Sequence, residues 1–106
     1  MKLNKNKRFR EQVYALLRNI PAGSVSTYAQ IAEKLNTKAY RAVGQALKHN
    51  PNAPKVPCHR VICSDGSIGG YQGKNSKKKI LLLKKEGIQI KNNKIKDFKK
   101  LIFSFS

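Results

Sequence analysis

Between Pro21-Ala22-Gly23 and Pro51 the chain has room for two short helices, one tight turn and little else. Thr27-Tyr28-Ala29-Gln30 has the form of a capping box, with Thr27 as N-cap and Gln30 three positions on. Ile31 and Leu35 then line one face of a helix that stops near Asn36. Thr37 can cap the next helix, through Tyr40, Val43 and Leu47 to about Asn50, where Pro51 closes it. Two short helices around Asn36-Thr37 have the spacing of a helix-turn-helix. Ahead of them, Phe9, Val13, Leu16, Leu17 and Ile20 recur at helical spacing and predict an amphipathic helix over 7–20.

Charge narrows what such a fold could meet. The 106 residues carry 23 Lys and Arg against 5 Asp and Glu, a formal +18. A surface so one-sided repels itself unless a polyanion neutralises it, so nucleic acid is the first candidate partner and an anionic membrane the second. No stretch has the Trp/Phe/Leu face of a membrane-surface helix, and none approaches the roughly 20 apolar residues of a spanning one. The opening MKLNKNKRFREQ is basic without a signal peptide's apolar run. Both cysteines are therefore expected as free thiols in a reducing compartment. Eleven of the 23 basic residues lie between Lys74 and Lys100. They fit a solvated surface and a phosphate-facing flank equally well.

Beyond Pro51 the elements shorten. Residues 51–57 hold three prolines and predict an extended loop. Val61-Ile62-Cys63, Ser64-Asp65-Gly66-Ser67 and Ile68 predict a β-hairpin with Asp-Gly in its turn. Gly69-Gly70-Tyr71-Gln72-Gly73 is a glycine-rich loop. Asn75 or Ser76 can cap a helix carrying Ile80, Leu82 and Leu83 and ending at Gly87. Ile88 and Ile90 alternate as in a short strand, while the basic, apolar remainder through Phe98, Leu101 and Phe105 has no assignable pattern. The expected fold is mostly α with a small β-hairpin, a winged-helix-like helix-turn-helix domain.

The stretch VPCHRVIC, 56–63, concentrates the chemistry. A cysteine beside a histidine is either a structural thiol or a nucleophile with a base at hand. His49, Cys58, His59 and Cys63 could supply four metal ligands, but not in paired zinc spacing, and neighbours in sequence rarely bind one ion together. No metal is therefore expected. A free thiol has a pKa of about 8.5, and cationic or hydrogen-bonding neighbours would lower it and populate the thiolate. A histidine could take the proton, and one of Glu11, Glu33, Asp65, Glu86 or Asp97 could orient the ring. Glu86 follows an apolar helix face, where it could be drawn inward. Cys63, beyond the motif, is expected to be structural.

Arg41-Ala42-Val43-Gly44, Asn50-Pro51, Pro57-Cys58-His59-Arg60-Val61, Gly66, Gly70-Tyr71, Leu82-Leu83 and Glu86-Gly87 follow one another in a distinctive order. From about Phe9 to Ile90 the chain resembles the active-site domain of the 6-O-alkylguanine-DNA alkyltransferases. The resemblance implies that Cys58 accepts the alkyl group, with His59 as its base through a water and Glu86 as the orienting carboxylate. Tyr28 would hydrogen-bond the base and protonate the leaving guanine. Arg41 would enter the duplex in place of the extruded nucleotide, and small Ala39, Ala42 and Gly44 would let their helix approach a groove. Asn50 would brace the active-site loop, Tyr71 would flank the pocket, and Lys79 would stand near its rim. Arg60 is expected to buttress the loop.

The implied partner is duplex DNA with an alkylated guanine, bound in the minor groove with weak sequence preference by a monomer. The alkylated oxygen lies inside the base pair, so the base must leave the stack before a thiol can reach it. No cofactor loop such as GxGxxG is visible, and no cofactor is expected. A single domain over 1–106 is expected, with a motif-bearing core over 9–90, a basic tail over 91–106 and no separate N-terminal domain. The expected location is the cytoplasm of a prokaryote or a nucleus. Short relatives called alkyltransferase-like proteins carry another residue in place of the cysteine and bind damage without repairing it. Cys58 puts this chain on the active side. The alternatives are a non-catalytic DNA-binding protein, lesion-sensing or chromatin-like, and a basic RNA-binding protein.

Overall fold

In a computed structural model, residues 5–72 and 75–105 are described. Helix α1, Lys5–Leu17, lays Val13, Tyr14 and Leu17 inward. It starts earlier and stops sooner than its apolar pattern predicted, because Arg18, Asn19 and Ile20 continue as a turn ahead of Pro21. Strand β1, Ser26–Thr27, leads directly into α2, Tyr28–Lys34. Thr27 is its N-cap, and the hydroxyl accepts from the Gln30 amide at 3.0 Å. Only that half of the predicted capping box forms. The Gln30 side chain turns away, accepting from the Ser26 hydroxyl at 2.5 Å and donating to Phe103 O at 2.7 Å.

The turn after α2 pivots on Asn36, whose φ of +55° suits asparagine better than most residues. Helix α3, Tyr40–Lys48, follows. Thr37 does not cap it. Its hydroxyl accepts from the Ala39 amide, an interaction local to the loop, and Ala39 itself occupies the N-cap position without a side-chain bond. Tyr14 ties α1 to α3 by donating to Ala46 O at 2.9 Å. Together α1, α2 and α3 enclose a core of Val13, Leu17, Ile20, Ile31, Val43, Ala46 and Leu47, and the expected helix-turn-helix is present.

Residues 51–55 form successive turns instead of an extended loop, closed by Val56 N donating to Asn52 O. A 3₁₀ turn, Cys58–Arg60, then delivers the chain into strand β2, Val61–Ile62. Strand β2 pairs in parallel with β1, Ser26 opposite Val61 and Thr27 opposite Ile62. The predicted hairpin closes locally, with Gly66 N on Cys63 O and Cys63 N on Ser67 O, but its outgoing arm bridges Lys94. The small antiparallel hairpin lies further on, as β3, Ile90–Lys91, and β4, Lys94–Ile95, around Asn92 and Asn93, both at positive φ.

Helix α4, Lys77–Lys85, ends as Gly87 predicted. Gly87 takes φ +88° and donates to Lys84 O, while Ile88 N donates to Leu83 O, the two bonds of a Schellman cap. Asn75 accepts from the Lys77 amide, and Ser76 occupies the N-cap position without a side-chain bond. The tail forms α5, Phe98–Leu101, then runs beside Val25, with Val25 N on Leu101 O and Phe103 N on Val25 O. Val25, Ile62, Ile68, Leu83, Ile88 and Ile95 make a second core under it. Among the described residues no helix is long and apolar enough to cross a membrane.

Candidate active site and its relatives

Val61 belongs to the first core and Ile62 to the second, as expected of successive strand residues that face opposite ways. Strand β2 is thus anchored on both sides, and the 3₁₀ turn that precedes it inherits that rigidity. Cys58 opens the turn, its amide on Val56 O at 2.9 Å. The residue is 5% exposed and lines a cleft of about 160 Å³. One wall is the C-terminal half of α3, Gly44, Leu47 and Lys48, and the other is the loop Gly70, Tyr71 and Gln72, with Tyr28 between.

Asn50 braces the turn as expected. It donates from Nδ2 to Val56 O at 2.7 Å and accepts from the Asn52 amide on Oδ1. His59 is buried beside Cys58, and its Nε2 lies 2.9 Å from Glu86 Oε2. Because a carboxylate only accepts, Nε2 carries the proton and Nδ1 is left as a lone pair. Nδ1 is buried with no protein partner. Burial holds the His59 pKa below 6.5, against a smaller upward pull from Glu86, so the ring is neutral at pH 7. Arg60 grips the same carboxylate from Nε at 2.9 Å and Nη2 at 2.7 Å, and its Nη1 donates to Ile20 O. Burial pushes the Glu86 pKa up, but the bonds from Arg60 and His59 outweigh it and leave it low.

The Cys58 thiol departs from expectation. Burial pushes its pKa up, and the Asn50 hydrogen bond and the Lys79 ammonium offset only part of the rise. The resting sulfur is therefore a thiol, not a thiolate, because desolvation outweighs the few favourable contacts. Lys79 also departs from expectation. It is not at the rim but 1% exposed, with Nζ donating to Val61 O at 2.7 Å and Gly70 O at 3.3 Å. Burial lowers its pKa to about 8, with the two thiols pulling the other way. Burial raises that of Tyr28 to about 12, so its phenol keeps its proton at neutral pH. Tyr71 is buried and its pKa is likewise raised.

Arg41 is exposed near the start of α3 and lines a separate groove of about 500 Å³ with Phe9, Arg10, Ala39, Ala42 and Gln45. Ala39 precedes the helix instead of lying on it. Arg41, Gly44 and Lys48 fall at helical positions i, i+3 and i+7, so one stripe of α3 runs from the groove to the cleft over roughly 10 Å. A methyl group at Gly44 would meet nothing within 4 Å. Internal packing therefore does not require glycine there. Gly69 is different: at φ +73° its Cβ would come 3.3 Å from Cys63 Sγ and 3.6 Å from the Tyr28 hydroxyl. Cys63 is half-buried and does not line the cleft. Among the described residues no cluster of His, Cys, Asp or Glu could hold a metal ion. Gly70 stands in the Gly70-Tyr71 pair that the resemblance rests on, whereas no motif or periodicity marks Lys48 or Gln72 as site residues, and the Gly73 end of the loop lies outside the described residues.

A helix-turn-helix domain with a buried thiol and a histidine–carboxylate pair behind it is a narrow class. The profile described as 6-O-methylguanine DNA methyltransferase, DNA binding domain, matches residues 8–88, and the chain belongs to that family. It is 44% identical over 89 residues to the methylated-DNA–protein-cysteine methyltransferase of Cricetulus griseus, covering 83% of this chain and 43% of the relative. It is 49% identical over 82 residues to the protein of that name in Saccharolobus islandicus, covering 77% of this chain and 52% of the relative. The chain thus spans about half or less of the length of these relatives. The structure of S. pombe Atl1 with damaged DNA containing O6-carboxymethylguanine matches with a TM-score of 0.81 and 31% identity, over 98% of this chain and 99% of that one. Mycobacterium tuberculosis OGT in complex with DNA matches with a TM-score of 0.71 and 39% identity, over 81% of this chain and 51% of that one.

Proposed function

We propose that this chain removes alkyl groups from the 6-oxygen of guanine in duplex DNA and keeps them on Cys58. The observation that carries this reading is the His59–Glu86 pair, next in the chain to Cys58, whose side chain lines a cleft walled on one side by the outer stripe of α3. Non-specific phosphate contacts by a +18 surface supply affinity. The Arg41 end of α3 enters the minor groove and fills the space left by the extruded guanine, offsetting part of the few kcal/mol that extrusion costs. The guanine enters the cleft between Tyr28 and Tyr71.

Sulfur then attacks the alkyl carbon. An S–C bond forms and the C–O bond to guanine breaks. The thiol proton passes through water to His59 Nδ1, and Glu86 stabilises the imidazolium through Nε2–H. The Tyr28 hydroxyl protonates the leaving guanine, and the proton taken up by His59 returns through water to the Tyr28 oxygen. Since the sulfur rests as a thiol, the proton must leave as the bond forms, which makes the base essential. A thioether is a poor leaving group, so each molecule acts once.

Incubation with duplex DNA carrying O6-methylguanine should add one methyl mass to the Cys58 peptide and none to a Cys58→Ser variant. Unmodified protein at completion would overturn the transfer. The match to Atl1 over nearly both full lengths favours a second reading, lesion binding without transfer. That reading expects lesion-selective binding, unmodified protein and no effect of Cys58→Ser.

A further inference from the structure

The loop that forms the outer wall of the Cys58 cleft is held in an unusual way. Gln72 sits at φ +50°, a left-handed conformation that residues with side chains seldom adopt. Its Nε2 donates to the main-chain oxygen of Asn50 at 2.9 Å. Asn50 lies just past the end of α3, and its side chain bonds the Cys58 loop through Val56 O. One side-chain hydrogen bond therefore joins the two walls of the cleft, and it ends on the residue that braces the nucleophile. From beneath, Lys79 reaches Gly70 O at a longer 3.3 Å.

The size of the cleft gives that bond a consequence. The cleft measures about 160 Å³. A cavity of about 150 Å³ accommodates a single benzene ring. An alkylated purine has two fused rings and a substituent, so the cleft holds all of it only if a wall moves. The α3 wall is fixed by the buried Leu47 and by Tyr14 on Ala46 O. The loop wall is pinned at buried Tyr71 and at Gly70 O by Lys79 but belongs to no helix, so it is the wall that yields beyond Tyr71, where the half-buried Gln72–Asn50 bond is the tie on its outer side.

We propose that Gln72 is a specificity-determining residue of this site, a latch whose bond to Asn50 limits how far the loop opens and so the largest alkyl group Cys58 can receive. This rests on the transfer reading above. The test compares single-turnover rates on duplexes carrying O6-methylguanine and O6-benzylguanine, for the wild type, Gln72→Met and Gln72→Ala. Methionine keeps the length and removes the donor, while alanine removes both. A latch predicts that both variants raise the benzyl-to-methyl rate ratio several-fold, whatever either does to the methyl rate alone. An unchanged ratio in Gln72→Met overturns the proposal, including the outcome in which only Gln72→Ala changes it, since that would make Gln72 mere bulk. Should the wild type bind lesions without transferring, the transfer reading fails separately. The same ratio is then read from equilibrium binding of the two duplexes, with the same criterion. Circular-dichroism melts of both variants verify that each is folded.

Discussion

The two cores on either side of β2 are built differently. The first is made by three helices that follow one another in sequence, each contributing several residues at helical spacing. The second collects single residues from scattered places: Val25, Ile62, Ile68, Leu83, Ile88 and Ile95, roofed by Phe98, Leu101 and Ile102. Cys58 packs with the first, whereas Glu86 hangs from the end of α4, whose Leu83 is anchored in the second. The relay therefore spans a robust half and a fragile one. Segments with short ladders and few buried neighbours open first, so the fragile half should govern how firmly His59 is oriented.

The strongest way to break that contrast is to weaken the second core alone. Ile62→Ala should cost about 2–5 kcal/mol in denaturant unfolding. Amide exchange should accelerate first over residues 88–102 while α1 and α3 stay protected. Uniform acceleration would show that the two halves unfold as one. Next in size, Glu86→Gln leaves Arg60 and His59 without their shared anion. Stability should fall by about 2 kcal/mol, and the transfer rate should fall about 100-fold. An unchanged rate would separate Glu86 from the chemistry.

Acid sharpens the same point more gently. The His59 pKa is depressed in the folded state, so the unfolded chain binds the proton first as pH drops below 6.5, and stability is lost from there downward. Glu86, also depressed, adds a further loss as pH falls below 4.5. The melting temperature should therefore decline from pH 7 to 5 and decline faster below. A rise towards pH 5 would contradict the buried neutral imidazole. The smallest effect belongs to the outer stripe of α3. Gly44→Ala meets open space and replaces a poor helix former, so it should stabilise the protein by about 1 kcal/mol. The methyl group projects into the cleft, and transfer should slow at the same time. A stabilised variant with full activity would mean that the guanine does not approach α3 there.

The same division separates what the sequence made legible from what it hid. Phe9 to Leu47 announced their helices because burial on one face repeats every three or four residues, and Thr27, Asn36 and Gly87 marked boundaries by backbone chemistry. Cys58, His59 and Glu86 were legible through their motif, yet only packing could reveal that burial keeps the sulfur protonated. The β1–β2 pairing was not legible, since two-residue strands show no alternation and their partners lie far apart in the chain. One signal was present and unread: Ile90-Lys91-Asn92-Asn93-Lys94-Ile95 places two asparagines at a hairpin turn where both residues need positive φ. Gln30 misled because its side chain, free to complete a local cap, found Phe103 in the tail instead.

A sulfur kept neutral on a residue only 5% exposed has a bearing on what Cys58 meets while the cleft is empty. Peroxides and small alkylating agents consume thiolates far more readily than covered thiols. On the proposed transfer each molecule reacts once, so any stray encounter would spoil it. Withholding the negative charge until the proposed substrate occupies the cleft would keep Cys58 unspent.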